Sequence, residues 1–576
     1  MSEKMAFGPY LKKIEDICRP LSREELQEII MGMAREARVH ERNSFIEKIK
    51  TCLPGGHSHP KSDKGTTEED ILEGIEALKE SILERIELIE NGEYHELEDF
   101  DDYDPYDYEP EVISQEQLEE LSDCLDVSGQ YFVGGRLEKA EKIYEAVFAL
   151  VEETDIEHFL HVMNTLEARA RYCRCVYELT PGPQRINALL KVMNPDMSDS
   201  ALISSRKNYP MLEDVMDTLV KPMSDFEQFL PEWEAAVSQT AVPGDRRARL
   251  VLEAAGLRND LEKISALART WADKQPLGYI CWLKHLETKE LWEEVCVVAR
   301  EALSRLNHGK HRAKTAGYLV QAGEKLESNE LALEGKRETF FSIPSHTSLI
   351  KLVKEAKKQN KREAELGRAI DHLSAAVRSD SHDKVLLVKT LLMAGRIKNA
   401  FSFARDVDKV GWSYQNHGGV MFSSILYLAG RMNEDCLVTD SLLEGYAEDD
   451  FSDMYDNDFP DDFDVEMQCS QEIKHGLAIS SITDGELEIY FKWAVDIGEK
   501  RIRHIVSNKY RKAYNRAAQV LVALAETFAA RDENAEASAI LKKYYYKLFN
   551  RFAAFRGEVR VVLSMSDILE NKRIGV

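Results

Sequence analysis

The sequence predicts an all-α fold: an irregular array of helical hairpins with a separate C-terminal helical block. Three observations lead there. Apolar residues recur at three- and four-residue spacing almost throughout, the period of a helix that buries one face. Alternating, strand-like runs are nearly absent. A short phrase recurs, as "GGRLEKAEKIY" at 134–144, "GRIKNAFSFA" at 395–404 and "GRMNEDC" at 430–436. In each, a Gly is placed to end one helix in the left-handed conformation. A small residue follows (Ala140, Ala400, Cys436) where the next helix must approach closely.

Gly395 and Gly430 are 35 residues apart, near the tetratricopeptide (TPR) period of about 34. The full TPR signature is not sustained, so the reading is a TPR-like α-solenoid of degraded consensus. In chain order, residues 9–50 form an N-terminal helical unit. Residues 51–67, "TCLPGGHSHPKSDKGTT", are rich in Gly, Pro, Ser and Thr and read as a linker. Helical hairpins follow over 68–180, interrupted by an acidic, Tyr-rich insert at 93–111. Within them Leu137, Ala140, Ile143 or Tyr144, Val147 and Leu150 fall on one helical face. A Pro, Ser and Asn cluster over 180–210 marks the next boundary. The solenoid proper spans 210–445, with looser echoes of the phrase at 255–268 and 289–303. An acidic linker at 446–472 contains "DDFSDMYDNDFPDDFDVE", where repulsion between like charges and Pro460 oppose helix. The C-terminal basic helical block is 473–576, with a further echo at 530–544.

The chain has 576 residues and a net charge of −27, which argues for several units and against duplex DNA as a whole-chain ligand. No apolar run reaches the roughly 18 residues of a membrane span. The first residues lack the apolar core of a secretory signal. Nine scattered cysteines read as reduced core thiols, so the expected location is cytoplasmic.

Sites for chemistry are sparse, and neither a cofactor nor a metal is expected. Cys173 and Cys175 diverge by about 200° on a helix and cannot share an ion. His158 and His161 could face together, but no ligand quartet has a recognised spacing. The acidic runs lack the Gly of a calcium loop. There is no phosphate-binding Gly motif, and "GWSYQNHGG" at 411–419 reads as a loop between helices. No G-x-S-x-G occurs. The Arg35-x₄-His40 spacing resembles that of HEPN-type ribonucleases, although Glu36 follows the Arg where those enzymes carry Asn, His or Asp. Unchanged RNA integrity after Arg35→Ala and His40→Ala would exclude that alternative.

The C-terminal stretch "SNKYRKAYNRAAQVLVALAETFAARDENAEASAILKKYYYKLFNRFAAFRGEV" (507–559) resembles the closing region of bacterial SWIM zinc-finger proteins. There too an R-x-Y-x-x-A-A helix (here Arg511, Tyr514, Ala517, Ala518) precedes a basic, aromatic helix (here Tyr546, Arg551, Phe555). "LSREELQEIIMGMARE", "ERNSFIEKI", the acidic insert and "GGRLEKAEKIYEAV" are similar to parts of that family. The finger itself needs C-x-C then C-x-H, and no C-x-H exists here. The resemblance therefore implies the helical-repeat scaffold without the zinc. A second likeness concerns layout alone. A helical protein split by an exposed linker is similar to the substrates of CRISPR-associated TPR–CHAT proteases, which implies a regulatory protein cleaved at that linker.

The leading expectation is a non-enzymatic scaffold or adaptor that binds a protein partner through a helical-repeat surface. Its candidate partner-binding residues are Lys500, Arg501, Arg503, Lys509, Arg511, Lys512 and Arg516, a basic block in an acidic chain. Nucleic acid is expected only there, and no membrane partner is expected.

Overall fold

The computed structural model describes residues 7–22, 26–27, 29–30, 33, 67–91, 112–162, 165–194, 209–219, 221–376, 381–407, 410–411, 416–448 and 468–576. Most of the linker, the acidic insert, Arg35, His40 and residues 449–467 lie outside the described residues. Among those described, all regular structure is helical. The chain divides into two compact units, Met1–Trp282 and Leu283–Val576, so the boundary falls inside the expected 210–445 segment.

The first unit contains α1 (Phe7–Cys18), α2 (Glu68–Glu90), α3 (Gln115–Val133), α4 (Leu137–Thr154), α5 (Thr165–Leu179) and α6 (Gly182–Met193). It continues with α7 (Leu212–Met216), α8 (Phe226–Val237), α9 (Asp245–Leu257) and α10 (Leu261–Trp271), and α11 (Leu277–Thr288) crosses the boundary. Capping boxes start α2 (Thr67 with Asp70) and α3 (Ser114 with Gln117), satisfying amides that have no partner inside the helix. The face of α4 legible in the sequence is buried: Ala140, Tyr144 and Val147 are fully enclosed. α6 lies inside the Pro-rich stretch expected as a boundary, with Pro181 as its N-cap.

The second unit contains α12 (Trp292–Arg305), α13 (Lys310–Lys325), α14 (Asn329–Ser342), α15 (His346–Lys358), α16 (Arg362–Ala376), α17 (Ser381–Met393), α18 (Ile397–Ala404), α19 (His417–Ala429) and α20 (Leu437–Glu448). It ends with α21 (Gln468–Ala478), α22 (Asp484–Ser507), α23 (Tyr514–Ala530), α24 (Asn534–Lys542), α25 (Ala553–Leu563) and α26 (Asp567–Asn571).

One turn recurs along the chain. A backbone N–H five residues on bonds back to a carbonyl of the preceding helix, closing the helix end. Between 260 and 432 it is made by the amides of Asp260, Leu291, Ser328, Lys361, Arg396 and Met432, which are 31, 37, 33, 35 and 36 residues apart, and it recurs without that spacing at Arg136, Tyr510, Glu533, Phe549 and Ile574. That spacing brackets the TPR-like period. The left-handed residues in the turns between 260 and 432 are Asn259, Glu290, Glu327, Asn360, Gly395 and Arg431 with Met432. Gly135 and Gly395 have the expected positive φ (71° and 69°). Gly430 does not: it caps α19 at φ −71°, and Arg431 takes the left-handed position one residue later.

Small residues fix the closest approaches. A Cβ on Gly323 would lie 2.5 Å from the Ala332 nitrogen, and one on Gly335 2.8 Å from the Val320 nitrogen, so α13 and α14 touch backbone to backbone. Gly418 and Gly419, expected in a loop, belong to the first turn of α19; a Cβ on Gly418 would strike Val407, and one on Gly419 would strike Tyr446.

The expected separation of the C-terminal block is corrected. One continuous core runs from Leu333 to Leu569 and takes in helices on both sides of the acidic segment. Phe401 of α18 stacks on Tyr490 of α22 at 4.1 Å. The buried Glu526 of α23 accepts bonds from the Val438 amide (3.2 Å) and from the Thr439 amide and hydroxyl (2.8 Å each), capping the start of α20. The apolar faces of α22 and α23 are too broad to be covered by the C-terminal helices alone.

Candidate functional site: a basic end of the C-terminal helices

α22 is 24 residues long and starts at a Thr483–Glu486 capping box. It ends where Asn508 turns its side-chain amide back to the His504 carbonyl at 2.7 Å. Lys509 then takes a left-handed conformation (φ 58°), a single 3₁₀ turn covers Arg511–Ala513, and α23 begins at Tyr514. This connection is short, so Lys509, Tyr510, Arg511 and Lys512 all face solvent, and Arg516 follows on the first turn of α23.

A second connection lies beside it. α24 runs into a π-helical segment at Lys543–Leu548, an element enriched at functional sites. A chain of aromatic contacts joins the two connections. Tyr544 meets Phe549 (5.8 Å), Phe549 meets Phe555 (5.7 Å) and Phe555 meets Tyr514 (5.9 Å). The Arg503 Nε also donates to the Tyr544 hydroxyl at 3.2 Å. Lys547 and Arg551 are exposed on this second connection. Residues 500–516 carry seven Lys or Arg and residues 541–557 five, with no Asp or Glu in either stretch.

The seven expected residues are not equivalent. Lys500 pairs with Asp496 at 2.7 Å, one turn back along α22. Arg503 pairs with Glu499 at 3.1 Å, and Lys543 pairs with the same carboxylate. Arg501 is half-buried; burial lowers its pKa, Tyr446 opposes that, and Arg516 adds to it. Lys509, Arg511, Lys512 and Arg516 remain at the surface. The aromatics divide similarly. Tyr544, Tyr545, Phe549 and Phe555 turn into the core, whereas Tyr510 and Tyr546 are each 52% exposed beside the cations.

Cys173 and Cys175 are buried in the first unit, and burial pushes the Cys173 thiol up to about 12, far from a reactive thiolate. No group of three metal-capable side chains occurs among the described residues. None of their helices is long and apolar enough to cross a membrane. Compared with known proteins, the chain matches no family model and no curated protein.

Proposed function

We propose that this chain is a non-enzymatic, TPR-like adaptor that holds a protein partner on its helical-repeat surface and docks an acidic segment of that partner on the basic end. The observation that carries the reading is the cluster of exposed Lys509, Arg511, Lys512 and Arg516, with Lys547 and Arg551, on a chain of net charge −27. Such a local reversal of sign steers an acidic partner to one face and repels it elsewhere. The recurring turn at 31–37-residue spacing supports the repeat scaffold. The SWIM-like and protease-substrate resemblances remain compatible with an adaptor but add no partner.

Exposed Tyr510 and Tyr546 favour a second reading, single-stranded nucleic acid, because bases stack on aromatic faces between cations. Fluorescence anisotropy of the full chain with a labelled poly-glutamate peptide and with a labelled oligonucleotide separates the two. The adaptor reading expects the peptide to bind and affinity to fall steeply with salt. Lys509→Glu with Lys512→Glu should weaken it at least tenfold. Binding indifferent to both salt and charge reversal excludes the basic end. Preference for the oligonucleotide, lost in Tyr510→Ala with Tyr546→Ala, selects the second reading.

A further inference from the structure

In the second unit, the turn between α12 and α13 meets α16 through two imidazoles. His308, exposed on the turn, and His372, half-buried on α16, have ring centroids 5.8 Å apart. α14 holds His372 in place. The ring stacks on Phe341 at 4.5 Å and 16°, Phe340 lies 6.3 Å away, and a ring N–H donates to the Phe341 carbonyl. On the turn, Leu306 is buried, and Gly309, next to His308, has φ 141°, a region glycine favours. The pair thus ties the turn to a helix that follows α13, α14 and α15 in the chain.

The surroundings offer little negative charge to hold a protonated pair. Glu338 of α14 acts on His372, but Arg312 of α13 already engages it. Arg305 of α12 pairs with Glu301 at 3.5 Å, and Lys310 and His311 follow His308 at the start of α13. On α15, Glu355 is held by Lys336 and Lys358 (3.3 and 2.9 Å); on α17, Lys389 is turned to the Ala447 carbonyl. On α16 itself Arg368 pairs with Glu365 at 2.9 Å, and Asp371 is exposed. Burial and His308 push the His372 pKa below its ordinary 6.5, outweighing the Phe341 carbonyl and Glu338. Stability from this group is therefore full above 6.5 and is lost as pH falls through the lower folded value.

We infer that the His308–His372 contact is an acid-sensitive latch in the repeat array, holding the α12–α13 turn on α16 while the rings are neutral and letting go when both are charged. Two imidazolium ions at this separation repel, and one of them would be half-buried. Release lets α12 and α13 shift against α14 and α16, which alters the helical-repeat surface. The latch is independent of the basic end.

The test uses the full chain and hydrogen–deuterium exchange read by mass spectrometry at about pH 7.5 and about pH 5.5, corrected for the intrinsic exchange rate at each pH. In the wild type, protection over 300–310 and 368–376 should fall at least about threefold at the lower pH, while 517–529 of α23 changes less than about twofold. His308→Gln, and His372→Phe with its stack on Phe341 kept, should each abolish that fall. Should His372→Phe fail to fold, His308→Gln, an exposed substitution, decides alone. No fall in the wild type overturns the inference. So does a fall that persists in His308→Gln, because repulsion needs both rings. An equal fall over 517–529 overturns it too, since acid would then loosen the whole unit.

Discussion

At the residue scale, buried charges on this protein serve helix ends. Arg174, fully buried, donates to the Met216 carbonyl at 3.5 Å at the end of α7, and Arg246 donates to the Met193 carbonyl at 3.2 Å at the end of α6. The fully buried Lys389 donates to the Ala447 carbonyl at 2.7 Å in the last turn of α20. Glu253 does the reverse, accepting from the Leu212 and Glu213 amides (3.0 and 2.8 Å) at the start of α7. Each places its charge where the helix dipole favours it. Burial, more than the nearby Glu213 and Asp214 charges, pushes the Glu253 carboxyl up to about 7, and its two amide bonds pull the other way. The folded state therefore binds a proton that the unfolded chain, titrating near 4.5, has already lost. Stability from this group is full below about pH 4.5 and disappears as pH rises towards 7, a span of about 3 kcal/mol as an upper figure. Glu253→Gln should flatten that part of the Tm–pH curve; an unchanged slope would count against it. Glu526→Ala should cost about 2–4 kcal/mol in urea unfolding, because three donors at α20 lose their acceptor and a cavity opens. None of these residues is marked in the sequence, where charged side chains default to solvent.

At the element scale, the hairpin turn was legible only where glycine occupies its left-handed position. Gly135 and Gly395 could be read; Asn259, Glu290, Glu327 and Asn360 could not, because local strain at a non-glycine residue is accepted only when tertiary packing enforces it. The two kinds of turn should respond oppositely to mutation. Gly395→Ala forces a Cβ into the left-handed region and to 3.0 Å from the Gly476 carbonyl, and should cost about 1–2 kcal/mol or more. Glu327→Gly relieves the same conformation and should stabilise by about 0.5 kcal/mol. Equal effects in chemical denaturation would show that the turns are not equivalent. Gly323→Ala, pressing into the Ala332 backbone, should cost about 1–3 kcal/mol through separation of α13 and α14.

At the scale of the whole molecule, the shared core after Leu283 changes what cleavage of the acidic segment would do. If 473–576 were a separate block, a nick would release it. Because the core spans both sides, a protease site engineered at Asp456–Asn457 should yield two fragments that still co-elute on gel filtration in native buffer and part only in denaturant. Separate elution in native buffer would restore the independent block. The basic end lies within this same unit, so its cations are held by the core and not on a free module. With about four phosphate contacts, single-strand binding there would show a salt slope near −3.

The helical class, the charge reversal near residues 500–516 and the position of the acidic segment follow from the sequence alone, because periodicity and composition are local properties. The tertiary structure decided which cations meet a carboxylate among the described residues and which stay exposed. Lys500 and Arg503 find carboxylates one turn away, whereas the short connection after Ser507 leaves Lys509, Arg511 and Lys512 to solvent. It also decided that Glu526 would cap a helix 87 residues earlier at Thr439. Such contacts depend on which faces meet once apolar surface is buried, and no local pattern encodes that meeting.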